Sequence, residues 1–433
     1  MNKRVLLLVS SVVAVVMTLT GCGSSNQNNQ QVNTTDDGNV RSAKEEEKVK
    51  VRLSYWNKEE SVKSLLALVE EKLPNIDLEY QFIDNKQYEE VIKTQLAAGE
   101  GPDIIGGLIN DNTVKLGYFE DLTERYADKY VETGTANYTF NGKLYGLPQG
   151  SWFNGMFYNI GLFEQYNLEV PTNLEEYYKV SEVFQQNGIK PQAIGLKNPL
   201  VVGQSFIALA INDYIGTEQG KSFNEQFKSG ESKMADALLP ALEKWKTYMD
   251  KGIFTKEMLG LEEEQAIDEF TSGKAAMFQS GPWYMETFKQ KAPDMKIGMF
   301  PNVGTEGPVG WMVGGPGVSF GVNAESKAKE AVYQILDLLS SPEGQTAYWE
   351  DNKGISSYVK GVQFEMPAEY DGAQEAFKAG QIMYPPDGWG VGRDVSFAEL
   401  GKQLQEVLIG GKDPKAALEA VDKKQADLLA KSK

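Results

Sequence analysis

The chain has 433 residues, and its 61 Asp and Glu residues outnumber its 43 Lys and Arg residues, which gives a net charge of −18. A surface this acidic repels phosphate backbones, so nucleic-acid binding is not expected. The sequence has no His and one Cys, which removes the commonest general base and metal ligand and excludes both an intrachain disulfide and a cysteine zinc cluster, so no metal or cofactor is expected.

The N-terminal residues 1–21 are predicted to be a signal peptide. Lys3 and Arg4 form its basic start, and the apolar run that follows is too short and too often interrupted for a good membrane-spanning helix. The run leads to Gly21 and Cys22. This order resembles the bacterial lipobox, which implies that Cys22 is diacylated and becomes the mature N-terminus. Two acyl chains anchor a protein stably, whereas one binds a membrane only marginally.

Residues 22–47 are rich in Asn, Gln, Ser and charged side chains and show no apolar period. Such a segment cannot bury enough surface to fold, so we interpret it as a flexible tether.

The folded body is predicted to begin with alternating strands and helices. Apolar residues alternate with polar ones from Val49 to Trp56, which indicates a strand. The segments that follow are a helix over 60–72, a strand over 76–83, a helix over 88–98 and a short buried strand over 103–105. This β-α-β-α-β order predicts an α/β fold with a parallel sheet, whose ligands bind beyond the carboxyl ends of the strands.

Later segments continue the α/β pattern. A helix is expected to start after Pro171, with Thr172 as its cap and Glu175 reaching back. Further strands are predicted over 145–148, 155–159, 275–278, 296–300 and 317–322, and a helix over 326–339. The rest of the chain is predicted to be mostly helical.

Six motifs occur in an order that resembles the extracellular solute-binding proteins of the carbohydrate group. They are Gly99 to Ile105 (GEGPDII), Asn141 to Pro148 (NGKLYGLP) with Phe157-Tyr158-Asn159, Pro171 to Glu176 (PTNLEE), Phe270 to Met277 (FTSGKAAM) with Gly281-Pro282-Trp283, Gly314 to Val322 with Ser341 to Gln345 (SPEGQ), and Gly410-Gly411-Lys412 with Ala416-Ala417-Leu418. Each motif is weak alone, but together they cover nearly all of the chain from about residue 48.

The resemblance implies a two-lobed, periplasmic-binding-protein-like (type II) fold with hinge strands between the lobes. The first lobe is expected to comprise residues 48–158 and 300–342, and the second residues 159–299 and 343–433. The implied function is that of a substrate-binding lipoprotein of an ABC importer. Such a protein holds a carbohydrate in the cleft and delivers it to the permease at the outer face of the cell membrane, as a monomer.

Aromatic rings flanked by polar side chains are the expected sugar contacts, because sugars present C–H faces and a rim of hydroxyl groups. The tryptophans at strand ends and in loops are the candidates: Trp56, Trp152, Trp283, Trp311 and Trp389. Ordinary core packing is the alternative for each, and it is the expected role of Trp245 and Trp349, which lie within predicted helices.

The polar candidates lie beside these rings or at strand ends, and each has an ordinary loop residue as its alternative. They are Asn57, Glu59, Asn110, Asp111, Asp387 and Arg393.

Several alternatives stay open. The resemblance to maltodextrin-binding proteins implies aromatic residues at two places where this sequence has none. Gly106 and Gly107 occupy the first place, and Leu200 and Val201 occupy the second. Another saccharide is therefore a better match than maltodextrin. A peptide or polyamine binder would use the same architecture. A glycoside-processing enzyme needs two flanking carboxylates, which the acidic composition allows. The G-x-S-x-G match at Gly317 to Gly321 lacks the His of a triad.

Overall fold

The structure is a computed structural model that describes residues 48–307 and 310–431. The predicted signal peptide, the tether and Cys22 lie outside the described residues. All described residues belong to one compact unit, Glu47–Lys433.

The predicted β-α-β-α-β start is confirmed, and further strands follow along the chain. The strands are β1 (Val49–Tyr55), β2 (Ile76–Phe82), β3 (Ile104–Gly106), β4 (Thr139–Phe140), β5 (Lys143–Leu144), β6 (Leu147–Pro148), β7 (Ser151–Asn159), β8 (Lys190–Ala193), β9 (Ala275–Ser280), β10 (Ile297–Phe300), β11 (Met312–Pro316), β12 (Ser319–Val322) and β13 (Ile382–Met383).

Helices connect these strands and cover both sheets. They are α1 (Lys63–Lys72), α2 (Asn85–Ala97), α3 (Asp111–Lys115), α4 (Thr123–Tyr126), α5 (Glu132–Thr135), α6 (Ile160–Gln165), α7 (Leu174–Gln186), α8 (Pro199–Ala210), α9 (Phe223–Ser229), α10 (Met234–Ala237), α11 (Leu239–Asp250), α12 (Glu263–Thr271), α13 (Met285–Lys291), α14 (Lys329–Leu339), α15 (Pro342–Asp351), α16 (Gln374–Lys378), α17 (Arg393–Leu408) and α18 (Pro414–Lys431). A π-helical turn, Ile211–Ile215, extends α8.

The first lobe is built on a sheet with the strand order β2-β1-β3-β12-β6. Strands β1, β2 and β3 run parallel, with Leu53 opposite both Tyr80 and Ile104. The inward side chains of this sheet pack against α1 and α14 in a core that includes Val51, Leu65 and Leu336. Because β1 and β3 are parallel, their carboxyl ends, Tyr55 and Gly106, lie at the same edge of the sheet.

The second lobe is built on a sheet with the strand order β13-β11-β7-β9-β8, and β10 also pairs with β7. Strand β7 is antiparallel to β9, with Gly155 opposite Ser280. Because side chains alternate along a strand, Trp152, Asn154 and Met156 share one face of β7. Helix α8 covers this face, and Phe206 of α8 belongs to the same core as Met156.

The chain crosses between the lobes at other places than the sequence predicted. The first crossing was expected near residue 158, but all of β7 from Ser151 lies in the second sheet, so the chain crosses at residues 148–151. The return was expected near residue 300, but β11 also belongs to the second sheet, so the chain returns at residues 316–319.

The third crossing was expected after residue 342, and it also lies later. Helix α15 packs on α1 and α14, and Val359 is buried in the core of the first lobe. Tyr370 is buried in the second lobe beside Phe153 and Phe157. The chain therefore crosses for the third time between Val359 and Tyr370.

Among the described residues, no helix combines the length and the apolar character that crossing a membrane requires.

Candidate ligand-binding cleft

Two crossing segments and the segment that leads to the third crossing lie side by side between the lobes. The amide of Gly317 donates to the carbonyl of Gly150 at 2.6 Å. The amide of Ser151 donates to the carbonyl of Ser356 at 2.8 Å, and the amide of Ser356 donates back to Ser151 Oγ at 2.9 Å. A Cβ atom on Gly317 would lie 2.5 Å from the carbonyl oxygen of Gly150, so only glycine permits this approach. This ladder is the hinge about which the lobes can move.

An aromatic cluster lies at the hinge end of the second sheet. The ring of Trp152 lies 6.4 Å from that of Trp283, centroid to centroid, and 5.1 Å from that of Tyr384. Trp283 is 47% exposed, which is unusual for so large an apolar ring. Its ring folds over Gly281, where a Cβ would lie 2.1 Å from the indole. The cluster therefore offers an accessible flat face against which an apolar surface can stack.

A polar pocket lies beside Trp283, between β7, β9 and the first turns of α8. Its lining residues are Asn154, Val201, Gln204, Ser205, Glu263, Gln279, Ser280 and Trp283, and they enclose a volume of about 20 Å³, enough for one water-sized group. Asn154 is 4% exposed, and its Oδ1 has no hydrogen-bond partner among the described residues. Burial raises the pKa of Glu263, and a hydrogen bond from Tyr284 opposes this shift.

An ion pair lies at the junction of the two lobes. Arg393 Nη1 donates to Asp387 Oδ1 at 2.6 Å, and Asn137 Nδ2 of the first lobe donates to Asp387 Oδ2 at 2.5 Å. Burial raises the pKa of Asp387, while Arg393 and Asn137 oppose the shift. The two polar residues predicted around Trp389 are thus held together, and Asp387 bridges the lobes.

The candidates of the first lobe lie at the sheet edge where they were predicted. Trp56 follows β1, and its half-buried ring meets Tyr88 edge-on at 5.2 Å. Asn57 donates from Nδ2 to the hydroxyl of Tyr55 at 3.2 Å. Glu59 is exposed in a 3-10 turn.

Asn110 and Asp111 are used by a helix end. Asn110 Oδ1 caps α3 by accepting the amides of Asn112 and Thr113. Asp111 forms an ion pair with Lys115 one turn later, at 2.6 Å. Both side chains already have partners, so a ligand would have to compete for them.

Trp389 and Trp311 do not join the aromatic cluster. Trp389 is 0% exposed and packs against Phe227 at 5.3 Å, so the predicted ligand contact does not fit this structure, in which the ring has no free face. Trp311 lies against Gly216. Trp311 lies immediately before β11, four residues before Gly315, which pairs with Trp152. Because a strand rises about 3.3 Å per residue, Trp311 lies about 13 Å from Gly315 along the strand.

Among the described residues, no group of three or more His, Cys, Asp or Glu side chains is arranged to hold a metal ion.

A comparison with protein families matches residues 55–346 to the model described as "Bacterial extracellular solute-binding protein". This match spans more than half of the chain and includes most strands of both sheets and the first two crossings between the lobes.

The chain belongs to this family.

Two curated relatives resemble this solute-binding protein over most of their length. The multiple sugar-binding protein of Streptococcus mutans is 24% identical over 343 residues, which covers 75% of this chain and 79% of the relative. The galactooligosaccharide-binding protein of Bacillus subtilis is also 24% identical, and the match covers 77% of this chain and 78% of the relative.

A solved structure agrees with the fold. A family 1 extracellular solute-binding protein from Bifidobacterium longum subsp. infantis is 27% identical, with a TM-score of 0.71, and the match covers 88% of this chain and 100% of that one. The two-lobed α/β fold expected from the sequence is confirmed by this likeness, and the family name places this solute-binding protein outside the cytoplasm.

Sequence reasoning missed several residues of the cleft in this solute-binding protein. Asn154 shares the face of Trp152, two residues away on β7, and this alternation was a usable signal. Gln204, Glu263 and Asn137 carry no such signal, because distant segments bring them to the cleft.

Proposed function

We propose that this protein captures an oligosaccharide between its lobes and delivers it intact to the permease of an ABC importer. The observation that carries the proposal is the half-exposed Trp283 beside a pocket of amide, hydroxyl and carboxylate groups. An aromatic face next to hydrogen-bonding groups matches the two surfaces of a sugar ring. The relatives named for multiple sugars and galactooligosaccharides support the same ligand class.

The finer parts of the proposal come from the sequence. Cys22 is the lipid-anchored first residue of the mature protein, residues 22–47 are its tether, and the folded body acts as a monomer at the outer face of the membrane. The ligand sites are the cluster of Trp152, Trp283 and Tyr384 and the polar pocket beside it. The family description, which names solute binding, supports binding without turnover.

A thermal-shift screen with mono- and oligosaccharides tests this function. A sugar that binds the folded state raises the melting temperature in proportion to the logarithm of its concentration, and chromatography should recover it unchanged. Cleaved sugar would contradict binding without turnover. Stabilisation by oligopeptides or polyamines, with no response to any sugar, would replace the carbohydrate assignment.

A further inference from the structure

We propose that the polar pocket beside Trp283 selects a sugar ring that carries a hydroxymethyl group, and rejects both a pentopyranose and a uronate at that position. This inference rests on the proposed function, because it concerns which sugar the same cleft holds. The pocket is proposed to prefer CH2OH over hydrogen or carboxylate as the substituent on one carbon of the sugar ring.

The position of the pocket supports an exocyclic group as its occupant. Trp283 is both the most exposed ring of the aromatic cluster and a wall of the pocket. A sugar ring stacked on this indole directs its substituents outward from its rim, and the pocket opens beside the indole. Its volume of about 20 Å³ admits one hydroxyl-sized group and excludes a second ring.

The chemistry of the pocket requires a hydrogen-bond donor. Asn154 Oδ1 is buried and finds no partner in residues 48–307 or 310–431, and a buried acceptor without a partner destabilises the protein. The side chain of Gln204, which also lines the pocket, has no hydrogen bond to another residue within the described part of the chain. A hydroxyl group donates and accepts, so one primary alcohol can satisfy Asn154 and Gln204 together. A pentopyranose offers only C–H there and leaves Asn154 unpaired.

The charge of the pocket argues against a carboxylate. Glu263 contributes an acidic group, and none of the described residues that line the pocket is Lys or Arg. A uronate would bring a second carboxylate beside Glu263, and like charges at short range oppose ionisation of both. Arg393, the cation beside the aromatic cluster, is already paired with Asp387.

Matched sugars test the inference by isothermal titration calorimetry. We expect α-1,4-galactobiose to bind about 10- to 100-fold more tightly than α-1,4-digalacturonate, and cellobiose to exceed xylobiose by a similar factor if the gluco series binds. The members of each pair differ chiefly in the exocyclic substituent. Equal affinity within every pair that binds would overturn the inference and leave the proposed function intact. If no sugar binds at all, both fail.

Two variants connect the preference to the pocket. Asn154→Leu should abolish the preference for the hydroxymethyl sugar, and the melting temperature of the sugar-free protein should stay equal or rise, because the variant removes an unpaired buried acceptor. Glu263→Gln should reduce the difference in binding affinity between galactobiose and digalacturonate. Gln81→Leu is the control, since Gln81 also has an unpartnered buried oxygen but lies on β2 of the first lobe.

These variants also separate sugar recognition from a pocket that only holds water. If Asn154→Leu and Glu263→Gln bind both members of each pair as the unmodified protein does, the pocket does not contact the sugar and the inference is wrong. If Gln81→Leu changes the preference as much as Asn154→Leu, the effect is general and not due to the pocket.

Discussion

Exposure separates tryptophans that the sequence could not distinguish. Trp283 and Trp389 both follow a glycine-containing turn, and both were predicted to stack on a ligand. In the structure Trp283 is 47% exposed, whereas Trp389 is fully buried and donates from Nε1 to Asn224 Oδ1 at 3.2 Å. The same residue type therefore provides a ligand surface at one turn and core packing at the other.

The variants Trp283→Ala and Trp389→Ala should affect different properties. Trp283→Ala should weaken sugar binding at least about tenfold, with a loss of stability of about 1 kcal/mol or less, because the ring is half in solvent. Trp389→Ala should cost about 3–5 kcal/mol of unfolding free energy, because it leaves a cavity in the core. Calorimetry with a bound sugar and urea unfolding measure the two effects. Unchanged sugar affinity in folded Trp283→Ala would remove that ring from the site.

The sequence also could not distinguish a ligand contact from a helix cap among the polar residues of the first lobe. Asn110 follows a parallel strand, where a ligand contact was expected, but its oxygen accepts two amides at the start of α3. Sequence identifies Asn as a good residue for either role. After β3 the backbone turns through Leu108, which has a φ of 59°, and the side chain of Asn110 then meets the start of α3.

At the scale of elements, the start of α7 differs by one residue from its predicted form. The helix was expected to be capped by Thr172, with Glu175 reaching back. Instead Asn173 Oδ1 accepts the amide of Glu176, and Glu176 accepts from the amide and hydroxyl of Thr172. The helix therefore begins one residue later, at Leu174, which turns Leu174 and Tyr177 into the core.

This capping arrangement predicts that Asn173 contributes more stability than Thr172. Asn173→Ala should lower the unfolding free energy by about 1 kcal/mol, because a backbone amide loses its acceptor. Thr172→Ala removes only an exposed hydroxyl–carboxylate contact and should cost less. Urea unfolding of both variants gives the comparison. A larger loss for Thr172→Ala would show that the predicted cap was right after all.

Periodicity predicted the strands well and the crossings poorly. Alternation located β1 and β2 within about one residue, because each has one face in a core. It did not locate the hinge, since residues 148–151 and 316–319 continue from one sheet into the other without a break in hydrogen bonding. A chain that changes sheets while remaining extended gives no turn residue to mark the change.

The pocket was the least predictable part of the fold. Asn154 and Gln279 lie on adjacent strands, but Gln204 lies in the middle of α8 and Glu263 is the first residue of α12, and the packing of these two helices on the sheet brings them together. Distances of this kind depend on tertiary packing, which a single sequence does not encode in any local pattern.

On the scale of the whole molecule, each lobe has its own core, and the described cores of the two sheets are separate clusters. The lobes are joined by the hinge ladder and by polar contacts such as that of Asn137 with Asp387. Separate cores allow the lobes to rotate as rigid bodies. The polar contact can then favour the conformation in which the lobes approach each other, even without sugar.

Removal of this contact should therefore open the sugar-free protein. A hydrogen bond to a charged group contributes about 1.5–3 kcal/mol, so Asn137→Ala should lower the ratio of closed to open protein by about tenfold or more and weaken sugar binding by up to the same factor. Small-angle X-ray scattering should show a larger radius of gyration for the sugar-free variant, and saturating sugar should restore the smaller value. Asn187→Ala is the matched control, because the Asn187 amide donates to Val183 within its own lobe. If Asn137→Ala leaves both the radius and the affinity unchanged, the contact between Asn137 and Asp387 does not favour the closed form.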